Sequence, residues 1–128
     1  MSAQQIYQGA LADRSRGNFE LALQGFQEYL KWYGNTELAP NAQFYIGRSY
    51  INDGKYDKAV DAFDKVIRTY PMSMNVPDSY TLKGIALQSL KQNDRAREAW
   101  DFVIMSYPDS AAATMAKQRM QQLGPAKP

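Results

Sequence analysis

The feature that most restricts this chain is a recurrence of side-chain types at a fixed offset of 37 residues. Gly17 and Gly54 stand that far apart, and Ala22, Ala59 and Ala96 follow in the same register. So do Phe26, Phe63 and Trp100, then Tyr29, Val66 and Val103, then Leu30, Ile67 and Ile104. Tyr33, Tyr70 and Tyr107 come next, trailed by Gly34, Pro71 and Pro108, while Ala10, Gly47 and Gly84 align upstream. Sets this numerous in one register define copies of a single unit. A unit of this length cannot bury its apolar side alone, so the copies must stack.

Each unit reads as two helices. In the second helix of the central unit, Ala59, Phe63, Val66 and Ile67 fall on one stripe, with Asp57, Lys58, Asp61, Asp64, Lys65 and Arg68 around the rest. Pro71 and Pro108 end that helix type, since proline lacks the N–H and pushes the preceding residue out of helical conformation. Thr36, Ser73 and Ser110 recur just beyond, where a side-chain oxygen can cap the next helix. Asp53-Gly54 is a turn signal inside the unit. The pattern predicts helices over 3–16, 19–33, 38–52, 56–70, 77–90, 95–106 and 110–123. Gly47 and Ala59 are small enough to let paired helices cross closely, with Phe63 filling the remaining space. The last segment carries Ala112, Met115, Ala116 and Met120 at helical spacing and polar residues elsewhere, as a terminal cap requires. The expected fold is a single all-α domain over 1–128. It is a right-handed superhelix of three helix pairs (3–39, 40–76, 77–113) closed by a capping helix over 110–123.

The composition removes several classes of function. The 128 residues include no Cys and no His, which excludes disulfides, thiol chemistry, imidazole metal sites and imidazole-dependent catalytic pairs. A net charge of +2, with no long basic run, argues against nucleic acid as a partner. Nothing approaches the ~20 apolar residues of a membrane span, so direct membrane insertion is not expected. The segment after Met1 is polar and reads as the start of a helix rather than an export signal.

The spacing Gly47-x-x-Tyr50, then Ala59-x-x-x-Phe63, then Pro71 resembles the tetratricopeptide repeat. Unit two lacks only the opening Trp, whose slot holds Gln43; unit three has Leu87 for the tyrosine and Lys91 for the turn glycine; unit one has Gly34 for the final proline. Segments 17–50 and 107–123, with the Tyr-Pro-x-Ser junctions at 70–73 and 107–110, resemble the C-terminal repeat domain of the Tol–Pal-associated YbgF/CpoB family. Envelope lipoproteins of the outer-membrane-assembly type share that junction. The resemblance implies a periplasmic scaffold that contacts a Tol–Pal or cell-wall synthesis component during division, with no cofactor and no catalytic activity. It further implies oligomerisation through an N-terminal coiled coil that is not part of this sequence. A cytoplasmic adaptor is the other reading open from the residues.

In tetratricopeptide domains the first helix of each pair lines a concave groove. Counted from Ala3, Pro40 and Pro77, the free stripe reads Gln4, Tyr7, Leu11, Arg14 and Ser15 in unit one. Unit two gives Asn41, Phe44, Arg48, Ile51 and Asn52, and unit three Asp78, Thr81, Ile85, Gln88 and Ser89. Aromatic and aliphatic groups with amides and two arginines suit a partner's helix or extended segment, and Tyr7, Phe44, Arg14 and Arg48 are the foremost candidates. Core and groove stripes adjoin on a helix, so Tyr7 and Phe44 are equally read as packing between units. The two-carboxylate clamp of co-chaperones is missing, because the ninth positions hold Leu11, Arg48 and Ile85.

Three further groups carry two readings each. Asp57, Asp61 and Asp64 resemble an acid–base cluster, but Asp61–Lys65 and Asp64–Arg68 have the spacing of surface ion pairs, and a solvated face is preferred. Met72, Met74, Met105, Met115 and Met120 are read as gap-fillers near the cap in preference to an adaptable binding surface. Trp32 replaces the Thr69 and Ser106 of the other units, and is either a contact site or packed against a neighbouring loop.

Overall fold

The computed structural model describes residues 1–126, and they form seven helices with no strand among them. These are α1 (Ala3–Ser15), α2 (Phe19–Tyr33), α3 (Ala39–Asn52), α4 (Tyr56–Thr69), α5 (Val76–Ser89), α6 (Asn93–Ser106) and α7 (Ala111–Leu123). Every expected helix is present within two residues of its bounds. Pro40 and Pro77 sit in the first turns of α3 and α5, where the missing N–H costs nothing.

Each helix packs on the next along the chain, and α7 lies on both α5 and α6. The first helices of successive pairs also meet, α3 with α5 and α5 with α7, whereas no comparable contact joins α2 to α4 or α4 to α6. The stack therefore curves toward the side of α3, α5 and α7, which places a concave surface along the first helices.

The repeated small residues set the crossings within each pair. A Cβ on Gly47 would lie 2.6 Å from the Phe63 ring, and one on Gly84 would lie 2.3 Å from the Trp100 indole nitrogen. Unit one reaches the same closeness from the other helix: Ala10 replaces the glycine of α1, and Gly25 in α2 makes room, with a Cβ there 2.8 Å from that of Ala10. The later pairs are Gly47 with Ala62 and Gly84 with Ala99, so every pair keeps one glycine and one alanine. Phe26, Phe63 and Trp100 are fully buried beside these crossings, as their shared register requires.

Several local expectations need correction. Of Thr36, Ser73 and Ser110, only Ser110 caps the following helix, its hydroxyl accepting from the Ala113 amide at 3.0 Å. Thr36 instead bonds the Tyr29 hydroxyl at 2.6 Å and donates to the Tyr33 carbonyl, and Ser73 accepts from the Asn75 amide, because α3 and α5 begin two residues later than those side chains can reach. The methionines do not fill gaps: Met72, Met74, Met105 and Met115 are exposed, the first two lying on the junction before α5, and only Met120 packs against the core. Asp64 pairs with Lys83 of the next unit at 2.7 Å rather than with Arg68, and no Asp61–Lys65 bridge is present among the described residues. A partly buried inter-unit partner outcompetes a solvated neighbour one turn away.

Candidate partner-binding groove

The side chains expected along the concave face divide into two sets. Tyr7, Phe44 and Thr81, at equivalent positions of α1, α3 and α5, are buried. Tyr7 meets Phe26 edge-on with centroids 5.9 Å apart, and Phe44 lies 5.8 Å from Phe63. The third position follows from volume. Trp100 is larger than phenylalanine, so its opposite number is a small Thr81, whose carbonyl accepts from the indole nitrogen at 3.0 Å and whose hydroxyl donates to the Ala112 carbonyl. Burial raises the Tyr7 hydroxyl above the ordinary phenol pKa, with the Asn41 side chain working the other way. These three residues belong to the inter-helix core and present no open contact surface.

The rest of the stripe stays accessible. Gln4, Ser15, Arg48, Asn52, Asp78 and Ser89 are exposed, and Leu11, Arg14, Asn41, Ile51, Ile85 and Gln88 are half-buried. Asn41 is tied to the junction before α5, its side-chain oxygen accepting from the Asn75 side-chain amide at 2.6 Å. Leu11 and Ile51 border the two halves of the core. The lane that results combines half-buried Leu11, Ile51 and Ile85 with amides from all three units and the guanidinium groups of Arg14 and Arg48.

Two contributors were not singled out from the sequence. Tyr45 stacks on Phe26 with centroids 5.3 Å apart, and the Arg14 guanidinium lies over the Tyr45 ring at 5.0 Å. Asn75 reaches the groove from the junction preceding α5. Tyr45 directly follows Phe44, so its place next to a groove position was the available signal; Asn75 offered none. Arg48 lies 6.0 Å from the centre of the Phe44 ring. Burial pushes the Arg14 guanidinium below the ordinary arginine pKa, and the charge of Arg48 acts in the same direction.

Elsewhere, Trp32 is 62% exposed on the outer side of unit one and donates to the Glu28 carboxylate at 2.8 Å, so it does not pack against a loop. Asp57 and Asp61 are solvated, and among the described residues no group of three acidic side chains is arranged to hold a metal ion. No described helix is long and apolar enough to cross a membrane.

Paired antiparallel helices in register, a glycine–alanine crossing in each and a concave lane along the first helices define a tetratricopeptide-repeat fold. Solved structures agree across nearly the whole chain. The Arabidopsis OM64 TPR domain superposes with a TM-score of 0.76 at 14% identity, covering 95% of this chain and 96% of that one. The first TPR of Spaghetti (RPAP3) bound to the HSP90 peptide SRMEEVD gives 0.75 at 14%, covering 94% and 91%. The second TPR domain of human RPAP3, in complex with the HSP70 peptide SGPTIEEVD, gives 0.75 at 13%, covering 94% and 98%. Identities this low establish the fold alone. No curated protein matches. The sequence model of the YfiO family, described as an outer membrane lipoprotein, matches residues 1–125, and the chain belongs to that family. The narrower likeness to the YbgF/CpoB group is not what this match reports.

Proposed function

We propose that this domain is a non-catalytic interaction scaffold of the bacterial cell envelope, working in the periplasm and holding a segment of a partner protein along its concave face. The observation that carries the reading is the accessible lane of Leu11, Arg14, Arg48, Ile51, Ile85 and Gln88 across three successive units. A partner segment laid there would cover aliphatic side chains and meet amide and guanidinium groups, and arginine is among the residues that carry most binding energy at protein interfaces. Membership of an outer membrane lipoprotein family supports the envelope location and favours a role in outer-membrane assembly. The related solved domains whose names include a bound peptide make a peptide-like occupant a natural choice. A second reading, a Tol–Pal-linked scaffold acting during division, rests on the two Tyr-Pro-x-Ser junctions at 70–73 and 107–110.

Site-specific photo-crosslinking in cells tests both location and face. Crosslinking residues placed at Arg48, Ile51 and Gln88 should capture envelope proteins, and residues placed at Lys65 and Arg68 on the second helices should not. Capture confined to the second-helix positions, or of cytosolic proteins alone, would overturn the reading. Which envelope proteins are captured decides between outer-membrane assembly and Tol–Pal.

A further inference from the structure

The crevice between paired helices recurs in register. In unit one its lining includes Ile6, Gly9 and Asp13 of α1 with Gly25 and Glu28 of α2. The same positions, moved on by 37 residues, line the crevice of unit two as Gln43, Ile46, Tyr50, Ala62 and Lys65. Moved on once more, they line that of unit three as Tyr80, Lys83, Leu87, Ala99 and Phe102. In these two units a helix already covers the crevice. α2 lies on α3, where Leu30 packs against the cluster holding Ile46 and Ala62, and the Gln27 amide donates to the Tyr50 hydroxyl at 3.5 Å. α4 lies on α5, with Ile67 against the cluster holding Leu87, and Asp64 paired with Lys83 at 2.7 Å. Each covering helix presents a polar, an aliphatic and a basic residue at i, i+3 and i+4: Gln27, Leu30 and Lys31, then Asp64, Ile67 and Arg68. No described helix covers the crevice of unit one. Gly9 is exposed there and Gly25 half-buried, whereas their counterparts Ile46, Ala62 and Ala99 are buried.

We infer that this open crevice is a docking site, separate from the concave groove, for an amphipathic α-helix of a partner protein that is basic at i and i+4 and aliphatic at i+3. The covered crevices give the shape of the occupant, and the charges of unit one give its sign. Asp13 stands where unit two has Tyr50, the residue met by Gln27 at the i position. Glu28 stands where unit two has Lys65, which lines the crevice together with Lys31 at i+4. A helix in the same pose therefore meets a carboxylate at both places. Its aliphatic residue lies over Gly9, where an added Cβ would meet nothing within 4 Å. Both carboxylates are open to a new partner: Asp13 has a loose 3.9 Å contact with the exposed Arg16, and Glu28 is exposed and accepts from the Trp32 indole. No lysine or arginine is among the described residues lining this crevice, while Trp32 and Tyr33 border it and can cover the stems of long basic side chains. The Lys31 ammonium already lies 5.1 Å from the centre of the Trp32 ring, a contact of the kind a partner's cation would make. A second copy of this chain offers no such helix. The stripes of α2 and α4 are covered by α3 and α5, and α6, beneath α7, presents Asp101, Ile104 and Met105.

The test follows the amide and indole N–H signals of the ¹⁵N-labelled protein by NMR while alanine-rich helical peptides are added, stapled because so short a helix is marginal in water. The basic peptide carries Lys, Leu and Lys at i, i+3 and i+4; the acidic peptide has Glu for both lysines; a third has Ala for the leucine. With the basic peptide the Gly9 and Gly25 amides and the Trp32 indole should shift and saturate while Leu11 and Ile51 stay unmoved. Its affinity should be about tenfold above that of the acidic peptide, the gain of two exposed ion pairs over two repulsive contacts. The alanine peptide should bind more weakly than the basic one. D13K/E28K, checked for unchanged helicity by circular dichroism, should reverse the preference and favour the acidic peptide. Equal affinity of the unaltered protein for the basic and acidic peptides would overturn the inference. Shifts at Leu11 and Ile51 in place of Gly9 and Gly25 would also overturn it, assigning the helix to the concave groove. Shifts of Gly9 and Gly25 on dilution without peptide would overturn it in favour of a second copy, and no shift with any peptide would overturn it outright.

Discussion

Adding one methyl group at Gly84 should destabilise the third unit, and the size of the effect can be worked from the contacts. In G84A the new Cβ would stand 2.3 Å from the indole nitrogen of Trp100 and 2.7 Å from two ring carbons. Trp100 is fully buried and donates to the Thr81 carbonyl at 3.0 Å, so it cannot turn aside without losing that bond. Overpacking a tight core costs about 1–3 kcal/mol, and the lost indole bond adds about 1 kcal/mol. Replacing glycine inside a helix returns about 1 kcal/mol. The net is a loss of about 1–3 kcal/mol. With an unfolding entropy of roughly 0.27 kcal/mol/K for a chain of this length, that lowers Tm by about 4–11 °C. Urea and thermal unfolding followed by far-ultraviolet circular dichroism measure it. G9A supplies the contrast, because Gly9 lies exposed in α1 with nothing within 4 Å of its added Cβ. It should stabilise by about 0.5–1 kcal/mol. A G84A protein within 0.5 kcal/mol of the parent, on an error scale of about that size, would refute the argument that the crossing is sterically filled.

Two other substitutions test the repeat frame. Lys91 adopts φ 65° at the turn where units one and two place Gly17 and Gly54 at 81° and 72°, so K91G should raise stability by about 1 kcal/mol in urea unfolding. S110A removes the hydroxyl that accepts from the Ala113 amide, and should cost about 1 kcal/mol, with faster amide hydrogen exchange in the first turn of α7.

The helices and their pairing were legible because each aligned set reports a position that must be small, aromatic or helix-ending in every layer. The exchange of glycine for alanine between Ala10 and Gly25 is the exception, since the crossing constrains the two residues jointly and a column-by-column alignment sees each alone. The groove was half legible. Tyr7, Phe44 and Thr81 share a helix face with Leu11, Arg48 and Ile85, and the boundary between core and surface runs between them at an angle that spacing does not set. Volume decides it: the large ring at 26, 63 or 100 draws its opposite number inward. Asp64–Lys83 joins different units and Asn41–Asn75 ties α3 to the junction before α5, so neither follows from intrahelical spacing. The hydroxyls at 36 and 73 do not cap for a simpler reason: the helices they precede begin further along, leaving those side chains to close turns.

The placement of the two indoles gives the molecule its own optical markers. Trp100 sits in a dry, hydrogen-bonded slot of the third layer, and Trp32 stands in water on the outer side of the first. Their emission therefore separates by wavelength and by access to acrylamide, one blue-shifted and shielded, the other red-shifted and readily quenched. Loosening at the capped end would redden the first component while leaving the second unchanged. A molecule bound over the outer side of unit one would shield the second while leaving the first unchanged.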